Sequence, residues 1–120
     1  MGFNEEFRLR TKKFALRVIK LFRALSKDEV SKILGRQLLR AGTSVGANFR
    51  AATWARSKKE FISRLSISLE EADESCFWME LLVESGIVAE SKLKPLYNEA
   101  IEITKLLASS LRTSKVNIKK

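Results

Sequence analysis

At 120 residues, 45% hydrophobic and with a single proline, the chain is sized for one folded domain and not for two. Its 23 Lys+Arg against 14 Asp+Glu give a net charge of +9, and the complete lack of histidine removes the commonest general base and transition-metal ligand, excluding Ser/His/Asp and Cys/His catalysis. One cysteine, Cys76, allows no internal disulfide; residues 1–6 lack a secretion signal and no stretch approaches the roughly 18 apolar residues of a membrane span, so a cytoplasmic protein with no membrane partner is expected.

From Phe7 onward, Phe7, Thr11, Phe14, Val18, Leu21 and Leu25 recur four and three residues apart, which predicts a helix over about 4–25 with one buried seam. Ser26-Lys27-Asp28-Glu29 supplies a turn and an N-cap, with acids favourable at the positive end of the next helix dipole. In that second helix, over about 29–55, Leu34, Leu38, Ala41, Val45, Asn48, Ala52 and Ala55 repeat the spacing. Two mid-helix glycines, Gly42 and Gly46, each cost about 0.8–1 kcal/mol relative to Ala, a cost usually offset by close approach of a neighbouring backbone. Asn48 falls on the seam, where its amide needs a partner and is expected to fix register or bond a neighbouring helix.

Ser57 followed by Glu60 is a capping box that opens a third helix with the seam Ile62, Leu65, Leu69, Ala72, Cys76, Met79 and Val83. That helix ends at Ser85-Gly86, because glycine accepts the left-handed cap conformation. A fourth helix over about 89–112 carries Leu93, Tyr97, Ala100, Thr104, Leu107 and Leu111, with Pro95 in its first turn or kinking it. Nothing alternates with a period of two. The expectation is an all-α, antiparallel up-down-up-down four-helix bundle over residues 1–114, followed by a basic tail, 115–120, bearing Lys115, Lys119 and Lys120.

Charge is segregated along this pattern: residues 1–60 hold 15 Lys+Arg and 5 Asp+Glu, whereas residues 61–120 hold 8 and 9. One surface therefore suits a polyanion and another is free for self-association. On helix two, Arg36, Arg40, Thr43, Ala47, Arg50 and Trp54 share an outward stripe, where guanidiniums at helical spacing reach phosphates and an indole stacks on a base. The competing account is a solvated face and a Trp54 that packs on a neighbour. Arg10, Lys13, Arg17 and Lys20 add a basic flank on helix one, for which simple solvation is the competing account. Helix three carries an outward stripe of Ile67, Glu71, Glu74, Trp78 and Leu81, apolar residues rimmed by carboxylates, as a partner surface looks. Another copy of the chain is the expected occupant, its basic side chains meeting Glu71 and Glu74; burial of Trp78 inside a tilted bundle is the alternative.

Catalytic groups are not in evidence. Glu70, Glu71, Asp73, Glu74 and Glu80 are spread around one helix with no ExxH companion, so neither a metal nor any other cofactor is expected. Cys76 reads as a buried small hydrophobe.

The stretch Gln37-Leu38-Leu39-Arg40-Ala41-Gly42-Thr43-Ser44-Val45-Gly46-Ala47-Asn48-Phe49-Arg50, with Ser57-Lys58-Lys59-Glu60-Phe61-Ile62 and Ile67-Ser68-Leu69-Glu70-Glu71-Ala72-Asp73-Glu74, resembles the four-helix-bundle family encoded in intervening sequences of bacterial large-subunit ribosomal RNA genes. Phe14-Ala15-Leu16-Arg17-Val18-Ile19 and Phe77-Trp78-Met79-Glu80-Leu81-Leu82 extend the similarity over the whole domain. The resemblance implies a left-handed bundle assembling as a homo-pentameric ring with a basic surface, like the related accessory proteins of diversity-generating retroelements, and it supplies no catalytic residues. Two functions are then open: a non-enzymatic, oligomeric nucleic-acid-binding protein, for RNA in preference to DNA, or an adaptor docking an acidic protein or a polymerase such as a reverse transcriptase.

Overall fold

Each apolar seam becomes a helix packed on its neighbours. The computed structural model describes residues 2–119 and contains α1 (Phe3–Ala24), α2 (Glu29–Thr53), α3 (Lys58–Glu84) and α4 (Glu90–Lys119), with no strand among the described residues. Contact is extensive between α1 and α2, α2 and α3, and α3 and α4, and slight between α1 and α4, which is an up-down-up-down bundle with an open seam at α1/α4. It is a rod of 51 × 23 × 22 Å.

The turns obey local chemistry. Asp28 caps α2, its Oδ1 accepting from the Ser31 amide at 3.0 Å and its Oδ2 from the Ser31 hydroxyl at 2.8 Å, bonds that hold its carboxyl down to about 2. Ser57 caps α3 by accepting from the Glu60 amide at 3.0 Å, and Glu60 reaches back to the Arg56 amide at 2.9 Å, one residue before the cap. At the far end Gly86, with φ of 80°, lets the Ile87 amide donate to Leu82 O and its own to Val83 O, both at 3.0 Å. The α4 helix runs on through Pro95 and past residue 112 to Lys119, so Lys115 belongs to it and no separate tail begins there; Lys120 lies outside the described residues.

The core is the expected one with local changes. Phe7, Thr11, Phe14, Val18 and Leu25 of the first seam are buried, as are Leu38, Ala41, Val45 and Ala52 of the second. Phe49, 2% exposed, takes the core position expected for Asn48, whose amide instead donates to Ser44 O of its own helix at 2.9 Å. No neighbouring helix is needed to satisfy it. In α3 the buried set is Leu65, Ser68, Ala72, Ser75, Cys76, Met79 and Leu82, while Ile62, Leu69 and Val83 are half-buried. This helix packs on both α2 and α4, so its buried face is wider than one seam. Ser68 links two helices directly, its hydroxyl donating to Val45 O at 2.7 Å. Burial pushes the Cys76 thiol up to about 11.

Candidate nucleic-acid interface

Close packing of α1 on α2 shapes the principal groove. A Cβ on Gly42 would come within 2.9 Å of Val18 Cγ2, and one on Gly46 within 3.2 Å of Thr11 Oγ1, so both glycines serve helix approach, as their mid-helix position suggested. Above this contact lies a cleft of about 440 Å³ lined by Arg8, Leu9, Lys12, Ala15, Thr43, Gly46, Ala47 and Arg50. Its floor is small and partly apolar; its rim is three cations. None of Arg8, Lys12 and Arg50 forms an ion pair among the described residues. The Thr43 hydroxyl is occupied, donating to Leu39 O at 2.8 Å.

The outward stripe of α2 exists, but its members divide. Arg36 and Arg50 are exposed and unpaired among the described residues, and Trp54, at the end of α2, is 73% exposed. Arg40 is committed elsewhere: it reaches across to α3 and holds Glu71 at 3.2 Å and Glu74 at 2.8 Å. Its charge is neutralised within the chain, contrary to its expected place among phosphate contacts.

Helix one differs more. The flank bearing Arg10, Lys13, Arg17 and Lys20 turns toward α4, not α2. Arg10 forks onto Glu99 with bonds of 2.8 and 2.7 Å, a two-bond pair across the α1/α4 seam. The bond from Arg10, with further help from Arg17, lowers the Glu99 carboxyl below its ordinary range. Lys13, Arg17 and Lys20 are exposed on that side. The cations that join Arg50 are Arg8 and Lys12, two residues from Arg10 and one from Lys13. A helical wheel places them on the opposite flank of α1 from Arg10, but which flank meets α2 depends on bundle handedness, which the sequence does not encode locally.

On α3, Glu71 and Glu74 are satisfied inside the chain by Arg40, so they are not held free for basic side chains of another copy. Trp78 is half-buried against the core, its indole N–H donating to Glu74 Oε1 at 3.3 Å, and Leu81 is half-buried beside it. The exposed ring is its neighbour Phe77, 50% accessible and packed edge-on to Trp78 at 5.1 Å; Ile67 is 36% accessible. Periodicity favoured Trp78 because it lies on the outward stripe, whereas the indole is large enough to fold back onto the helix pair.

Glu80 is similarly engaged. Tyr97 donates to Glu80 at 2.8 Å, a bond that pushes the phenol up to about 12. Among the described residues no group of three or more Cys, Asp or Glu is placed to hold a metal ion, and no helix is long and apolar enough to cross a membrane.

Fold, charge and groove define a basic, antiparallel four-helix-bundle protein. The family model of the 23S rRNA-intervening sequence proteins matches residues 6–109, and the chain belongs to that family. A solved protein of unknown function from the S23 ribosomal protein family of Bacteroides thetaiotaomicron is 34% identical; the match covers 91% of this chain and 97% of that one, with a TM-score of 0.85. No curated protein sequence matches the chain.

Proposed function

We propose that this chain is a non-enzymatic nucleic-acid-binding protein of the cytoplasm that grips a phosphate backbone in the α1–α2 groove, RNA in preference to DNA, and acts as a homo-oligomeric ring. The observation that carries this is the groove itself: Arg8, Lys12 and Arg50 converge on one cleft with no acid to neutralise them among the described residues. Fixed cations around a shallow cleft match a polyanion, and the exposed Trp54 adds a surface on which a base can stack. Arg36 extends the positive stripe along α2. The oligomer is proposed to form, as a pentamer, through the exposed Ile67 and Phe77 of α3, apolar area that favours burial against another copy.

The test is a titration of the protein with labelled single-stranded RNA, with Lys12→Glu and Arg50→Glu combined in one variant and Arg40→Ala in another. The first variant loses most of the affinity while its circular dichroism is unchanged, because its side chains point to solvent. The second keeps affinity within about twofold, since Arg40 is already paired, and loses less than about 1 kcal/mol of stability, the usual range for an exposed ion pair. Equal affinity of the groove variant and the natural chain contradicts the proposal.

A further inference from the structure

A second cleft lies at the end of the bundle where α1 and α3 begin and α2 and α4 end. It has a volume of about 270 Å³ and is separate from the α1–α2 groove. Phe3 and Phe61 give it aromatic walls, the buried Phe49 lies beneath, and Ser109, Ser110, Thr113 and Ser114 of α4 complete the lining. Ser114 borders the cleft and is only 7% exposed.

The chemistry of the walls narrows the occupant to a flat, aromatic molecule with a polar edge. The half-exposed Phe3 ring offers such a molecule a face to stack on, and hydroxyls, each one donor and two acceptors, adapt to whichever pattern its edge presents. The surroundings favour an anionic attachment: the Lys58 ammonium sits 5.5 Å from the centre of the Phe61 ring, and Arg50, a rim residue of the phosphate groove, follows Phe49 in the chain. The first turn of α1 separates the two clefts, with Phe3 on one and Arg8 on the other.

We propose that the end cleft receives one unpaired nucleobase of the strand whose phosphates occupy the α1–α2 groove, so that the protein selects unpaired over duplex nucleic acid without reading base identity. This rests on the nucleic-acid function proposed above. A base held in a duplex is stacked and paired and cannot enter; an unpaired one enters at little cost.

The full chain is titrated with a short single-stranded RNA, with the same strand carrying abasic nucleotides, and with its blunt duplex, all at one salt concentration. The intact strand binds about tenfold or more tightly than the abasic one, the worth of a stacked base. Because Trp54 also offers a stacking surface, the assignment rests on two variants of the cleft. Ser110→Leu with Thr113→Leu fills it, and Phe3→Ser, at a residue 51% exposed, opens one wall and uncovers the Phe7 ring it stacks on, so both variants are first shown to keep the natural circular dichroism. Both variants lose most of the preference and bind the abasic strand as the natural chain does. A preference that survives both variants, or equal affinity for intact and abasic strands, overturns the base cleft while leaving the phosphate groove standing. No binding to any of the three ligands overturns both.

Discussion

At the scale of single residues, the same property, space, decides both packing and site. Val18 is 0% exposed and β-branched, so it has no rotamer in which to yield to a Cβ on Gly42 at 2.9 Å. Gly42→Ala gains helix propensity worth about 1 kcal/mol but overpacks a core position at a cost of about 1–3 kcal/mol. The net expectation is a loss of about 1 kcal/mol in a denaturant titration; a more stable variant would show that α1 and α2 are less tightly apposed than the 2.9 Å approach requires. Most residue-level features were legible in the sequence: Asp28, Ser57 and Gly86 perform the capping their types announce. The Asn48 and Phe49 positions were not, because adjacent residues differ by 100° on a helix while the buried arc of α2 spans more than that. Arg40 was misjudged for a related reason: its two acceptors lie on another helix, and sequence spacing within α2 is silent about them.

At the scale of elements, the four helices are unequally tied to the whole. The α2/α3 pair shares the largest interface and the Ser68 to Val45 hydrogen bond, whereas α1 meets α4 slightly and through the Arg10–Glu99 pair. Amide exchange is accordingly expected to be slowest in the centres of α2 and α3 and measurably faster in α1, with Arg10→Ala widening the gap. Uniform protection across all four helices would contradict that hierarchy. Element number, order and approximate ends followed from periodicity and capping. The end of α4 did not, since Ser and Thr in its last turns weaken the helical pattern although Leu107 and Ser114 are buried along one face. The groove was half-legible: Arg50 was identifiable from its stripe, but Arg8 and Lys12 required knowing which side of α1 faces α2.

At the scale of the molecule, the rod divides its chemistry by face. Unpaired cations gather over α1 and α2, while α3 presents Ile67 and Phe77 among acids of which Glu71, Glu74 and Glu80 are engaged within the chain. With Glu71 and Glu74 occupied by Arg40, the proposed self-association through α3 has to draw on apolar burial more than on charge. Phe77→Glu is therefore expected to shift the sedimenting species toward monomer, and raising the salt concentration to leave it unchanged. Dissociation by salt with no effect of Phe77→Glu would place the contact elsewhere.

The central claim is that three groove cations neutralise backbone phosphates. It is tested most directly by the slope of log affinity against log salt for single-stranded RNA, measured for the natural chain and for a variant with Arg8, Lys12 and Arg50 all changed to Gln. Each phosphate contact contributes about 0.7 to the steepness of that slope, so the variant is expected to be shallower by about 2. Identical slopes for the two proteins would contradict the account.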